Sequence, residues 1–152
     1  MATPPFDLSK AHRYFAIECN NEAWRLLESA SPSSDEIDRM IHLAHASCFH
    51  WLNAGDLLNH LRAQNLLATA YTKANMPTCA VRHAERCLEL SREAGEKQTA
   101  FDRAMVHGCA AKAFRLAGRA SDASKHDALL LDLMKKLESD EQMLVEKLYL
   151  SK

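Results

Sequence analysis

Residues 61–90, LRAQNLLATAYTKANMPTCAVRHAERCLEL, constrain this chain more than any other stretch. They read as two antiparallel amphipathic helices joined by a short turn at Ala74-Asn75-Met76-Pro77. In the first helix Leu67, Ala68 and Tyr71 fall on one face. In the second, Ala80, Ala84, Cys87 and Leu88 do so at helical spacing. Small residues facing large ones let two helix backbones approach closely. A hairpin of this kind cannot bury its apolar faces alone, so it must stack on neighbours of its own type.

A weaker copy follows. Ala110 and Ala111 precede Phe114, a turn comes at Ala117-Gly118-Arg119, and Ala123 stands as far from Phe114 as Ala80 does from Tyr71. On Leu67, Ala68, Tyr71, Ala80, Cys87 and Leu88, and on the second set, the chain resembles the tetratricopeptide repeats. In that family a leucine and a small residue precede an aromatic by one turn, and an alanine follows nine residues later. The copies depart from the family pattern: Gln64 stands where a tryptophan is preferred, Ala84 where a large aromatic is, and Arg92 where proline is usual. Their offset is 43 residues, against a family period of about 34. The resemblance implies an all-α fold of stacked hairpins, a TPR-like α-α superhelix of about seven antiparallel helices. It leaves open whether these curl into a superhelix or close into a bundle.

The rest of the chain fits that architecture. After a proline-bearing leader, residues 1–7, Asp7 caps a first helix to about residue 30, with Phe15, Cys19, Ala23, Leu26 and Leu27 as its apolar stripe and Trp24 at the edge. SASPSS breaks it, and Ser33-Ser34-Asp35-Glu36 fits a capping box for a second helix to about residue 53. There Ile37, Met40, Ile41, Ala44, Cys48, Trp51 and Leu52 share a face, and Gly55 suits a left-handed C-terminal cap. The third helix reaches about residue 74, the fourth spans 77–94 with Pro77 in its first turn, the fifth about 98–117 and the sixth about 120–137. Ser139-Asp140-Glu141-Gln142 opens a short last helix, 140–152, with Leu144, Val145, Leu148 and Tyr149 as a terminal cap. No segment alternates as a strand would.

With 152 residues, 47% of them hydrophobic and 26% charged, and only 4 Gly and 4 Pro, the chain suits one compact helical domain over 1–152. A net charge of −1 with signs interspersed points to neither nucleic acid nor an anionic membrane. The N-terminus lacks the pattern of a secretory signal and no window is long and apolar enough for a membrane span, so a cytoplasmic location is expected. Five cysteines, Cys19, Cys48, Cys79, Cys87 and Cys109, lie inside helical patterns without a CxxC pair and read as small buried hydrophobes.

No GxSxG elbow and no phosphate-binding glycine loop is present, so a non-enzymatic role without cofactor is expected. The resemblance implies that the first helix of each pair lines a concave surface. Arg62, Asn65 and Thr69 of the third helix, with Lys112 and Arg115 of the fifth, would be exposed there as a mildly basic strip. Such a strip suits an acidic peptide or a helix from another protein. It lacks the full lysine and asparagine set of a carboxylate clamp. An exposed Tyr149-bearing end is a further docking surface, and the last helix could also pair with a second copy. The alternative is a metal-dependent helical-bundle enzyme or metal sensor, because Asp38, His42 and His45 recur on one face of the second helix. The stretch IHLAHASCFHW is similar to the histidine-bearing helix of a family of DNA-damage-induced four-helix metal proteins, but the HxxxH pair of that family is missing. The three residues lie opposite the apolar stripe, which fits a plain solvated surface better than a metal site.

Overall fold

The computed structural model describes residues 3–151. Among them the backbone forms seven α-helices in series and no strand: α1 (Leu8–Leu27), α2 (Ser34–Ala54), α3 (Leu57–Lys73), α4 (Pro77–Ala94), α5 (Ala100–Leu116), α6 (Ala120–Met134) and α7 (Ser139–Val145). A single 3-10 turn, Gly95–Lys97, precedes α5, and a π-helical turn, Glu146–Leu150, continues α7. The helices pack most closely as α1 with α2, α3 with α4 and α5 with α6, and each pair leans on the next. α1, α3 and α5 also touch one another in that order, forming an inner layer.

The boundaries follow local chemistry. Asp7 accepts from the amide of Lys10 and starts α1. Ser33 with Glu36, Asp56 with Asn59 and Thr99 with Asp102 form reciprocal capping boxes at α2, α3 and α5. Gly55 differs from expectation: its φ of −104° and ψ of 173° are extended, because the chain turns directly into the Asp56 cap rather than through a left-handed residue. α7 is boxed by Glu138 and Glu141, one residue earlier than the serine suggests.

The two hairpin turns are the same structure. At the end of α3 the amide of Met76 donates to Tyr71 O at 2.9 Å and that of Asn75 to Thr72 O at 3.1 Å. At the end of α5 Arg119 donates to Phe114 O at 2.8 Å and Gly118 to Arg115 O at 3.0 Å. Both are Schellman closures, with Asn75 (φ 58°) and Gly118 (φ 75°) in the left-handed region that asparagine and glycine tolerate best. Ala80 and Ala123, at matching places in the following helices, are wholly buried. The 43-residue repeat is therefore a repeat of backbone as well as of residues.

Two apolar clusters share α3 as a wall. One gathers Leu26, Leu27, Met40, Trp51, Leu66 and Leu67 between α1, α2 and α3. The other gathers Leu61, Leu90, Val106, Phe114, Leu130 and Tyr149 among α3 to α6 and the C-terminal segment, and Tyr71 packs against both. Alanines at the crossings, Ala16, Ala44, Ala68, Ala84 and Ala110 among them, have no exposed surface and set the close approach. Two expected stripe residues turn outward: Phe15 is 49% exposed and Leu52 63%. The α1–α2 crossing is filled instead by Ala16 and by Ser47, whose hydroxyl donates to Ala16 O at 2.8 Å. Cys48, Cys87 and Cys109 are buried as small hydrophobes, while Cys19 and Cys79 are half-buried, and all five are free thiols.

Candidate partner-binding groove

The expected strip lies on the inner layer, but much of it is covered. Arg62 is on the surface, yet its guanidinium forks onto the buried Asp102 of α5, with Nε to Oδ1 at 2.9 Å and Nη2 to Oδ2 at 3.2 Å. Burial alone would raise the Asp102 carboxyl; the Arg62 hydrogen bonds and the amide of Thr99 outweigh it and hold the group below its ordinary range. Asn65 and Thr69, expected to be exposed, are buried. The reason is the C-terminal segment, residues 139–151, which folds back across the inner layer and puts Tyr149 on top of them.

Tyr149 is the centre of this arrangement and is itself buried, against the expectation of an exposed end. Asn65 donates through Nδ2 to Met105 O at 2.8 Å, which fixes its amide. Thr69 commits its hydroxyl proton to Asn65 O at 2.9 Å. The Tyr149 hydroxyl must then donate, to Thr69 Oγ1 at 2.9 Å and more weakly to Asn65 Oδ1 at 3.3 Å. Burial pushes its ionisation far upward, so it is a neutral donor at every ordinary pH. The ring rests where Gly108 of α5 has no side chain: a Cβ there would stand 2.3 Å from its Cδ2. Sequence reading passed over Gly108, although an isolated glycine inside a helix is a signal of close approach.

On one side of the segment a cleft of about 530 Å³ is lined by Trp24, Arg62, Phe101, Met105, Leu144 and Leu148, among others. On the other, a cleft of about 600 Å³ is bordered by Thr72, Lys73, Lys112, Lys147 and Ser151. Arg115 is paired with Asp127 of α6. Lys73 donates to Ser29 O at 2.8 Å, and Lys147 reaches Glu28 at 3.1 Å. Lys112 has no ion-pair partner among the described residues and is half-buried. Burial first, then the neighbouring Arg115 and Lys73, depress its ammonium below the ordinary lysine value. Of the five strip residues, Lys112 is thus the one that an incoming anion would relieve.

The helix-two residues do not converge. Asp38 and His42 border a shallow, open depression with Asp35, Arg39, Leu43 and Ala46. His45 turns away to Tyr71, its Nε2 2.7 Å from the phenol oxygen. Tyr71 in turn stacks on His83, whose Nδ1 meets Gln64 Oε1 at 2.8 Å. Gln64, placed where the repeat family prefers tryptophan, is thus part of a polar network between α2, α3 and α4. Among the described residues no three histidine, cysteine or acidic side chains are grouped so as to hold a metal ion, because successive turns of α2 aim these side chains at different neighbours. No described helix is long and apolar enough to cross a membrane.

Comparison of the chain with models of known protein families, with curated proteins and with solved structures returns no match.

Proposed function

We propose that this chain is a non-enzymatic, TPR-like interaction module that receives a peptide or helix of another protein in the groove along α1, α3 and α5. The supporting observation is that the groove floor already holds a helical segment, with Asn65 and Thr69 hydrogen-bonded to it across the inner layer. The half-buried, unpaired Lys112 gives the groove a preference for an acidic group at one edge. Most of the remaining charges are already satisfied within the chain and contribute little to affinity.

Selection of a displayed peptide library on the whole chain tests this. Enriched peptides are expected to carry an acidic residue and to lose affinity on Lys112→Glu by roughly tenfold, the range of one charge-assisted contact. Recovery of no peptide whose binding responds to Lys112→Glu would remove the groove reading.

A further inference from the structure

The groove floor contains a niche shaped for one side chain. Its base is the bare backbone of Gly108, over which the Tyr149 ring lies with Cδ2 and Cγ 2.3 and 2.5 Å from the place of a Cβ. Its rim supplies two acceptors for a phenol, Thr69 Oγ1 and Asn65 Oδ1, the latter aimed by the bond from Asn65 to Met105 O. Away from Tyr149 the segment that fills the niche is held by the buried Val145, by Leu148 and Leu150 at the edge of the core, and at its start by Gln142, whose Nε2 donates to Met134 O and Leu137 O at 3.0 Å; its outer face is thinly covered. Met143 is 61% exposed. Leu144 and Leu148 are half-buried beside an open cleft. The link from Lys147 to Glu28 joins two exposed side chains and contributes little. α7 spans 7 residues, too few to persist as a helix without docking. The niche would also tolerate an exit: Asn65 and Thr69 are groups that water can satisfy when the phenol leaves, unlike an apolar floor.

Resting on the groove reading above, we propose that the niche around Gly108 is a tyrosine-recognition site and that Tyr149 is its exchangeable occupant. The partner is then a helical segment presenting a tyrosine with leucines one and five residues before it, as Leu148 and Leu144 precede Tyr149, and it displaces the chain's own tail.

The probe is a labelled peptide copying residues 138–151, titrated against the full chain by fluorescence anisotropy. Tyr149→Ala empties the niche without altering it, and should bind the peptide at least about tenfold more tightly than the natural chain, since the internal competitor is weakened. Gly108→Ala puts a methyl where the ring lies, so it should release the tail yet bind no peptide. Hydrogen exchange on the unaltered chain needs no variant: amides of 139–151 should exchange about a hundredfold faster than those of α3 and α5. Equal peptide affinity of the natural chain and Tyr149→Ala, including none in either, overturns the proposal. So do tail amides that exchange only with global unfolding. A Gly108-dependent dimer in size exclusion would assign the niche to a second copy and overturn the foreign partner. Library peptides that depend on Lys112 but bind equally with Tyr149 present or removed would keep the groove reading and remove this one. Tail exchange with no response to Lys112→Glu would remove the groove reading and the foreign partner with it, leaving the niche as a latch for the chain's own tail.

Discussion

At the scale of single residues, buried polar groups set conditions that stability measurements can read. His83 and His107 are both held at about 4. Burial is the main cause, joined by His45 and Arg82 for the first and by His126 for the second. An unfolded chain with ordinary imidazoles binds more protons than the folded one between about pH 6.5 and 4. Stability is therefore complete above that window and falls as pH drops through it. After allowance for partial solvent access, the two together should cost on the order of 2 kcal/mol by pH 4.5. A urea midpoint unchanged between pH 7 and 4.5 would contradict this. Asp102→Ala removes half of a capping box and both acceptors of Arg62, and should cost about 1 to 2 kcal/mol in the same assay. Legibility ends at this scale for a definite reason. Asn65 and Thr69 stand with Arg62 on one polar helical face, and nothing local to α3 says that a segment eighty residues away will cover two of the three. Phe15 and Leu52 fail in the opposite sense, because small Ala16 and Ser47 win the α1–α2 crossing and leave the larger neighbours outside.

At the scale of elements more is legible, since helix starts and stops are written in short-range chemistry. The caps at Asp7 and Ser33 and the proline start at Pro77 are all legible, and the observed helices begin there. The repeated turn yields a paired test. Gly118→Ala forces a Cβ into a left-handed φ of 75° and should cost roughly 1 kcal/mol. Asn75→Gly at the equivalent place should change stability by no more than a few tenths, or raise it. Thermal melts of both variants decide, and an equal loss in the two would show that the turns are not equivalent. What the pattern could not disclose is the π-helical turn at the end of the tail, in which Ser151 donates to Glu146 O at 2.8 Å. The widened turn is local, but the reason for it, delivery of Tyr149 over Gly108, is not.

At the scale of the whole molecule, the stack of three hairpins was foreseeable from the resemblance and the repeat, whereas the placement of the tail across it was not. α3 walls both apolar clusters, so neither half has a complete core without it. Calorimetry should accordingly show one unfolding transition, and Leu66→Ala, at a site with no exposed surface, should move it down as a unit with a loss of about 2 to 5 kcal/mol. Two separate transitions would argue that the clusters are independent. The tail meets α5 at Gly108, α3 at Thr69 and the end of α1 at Glu28. A segment of fixed length tied to three ribs of one layer is a strap across them. Undoing that strap by Tyr149→Ala frees the tail while the ribs keep their own hairpin contacts, so the radius of gyration in small-angle scattering should rise only by the reach of the loosened segment, and helix content should fall by no more than α7 and the turn after it.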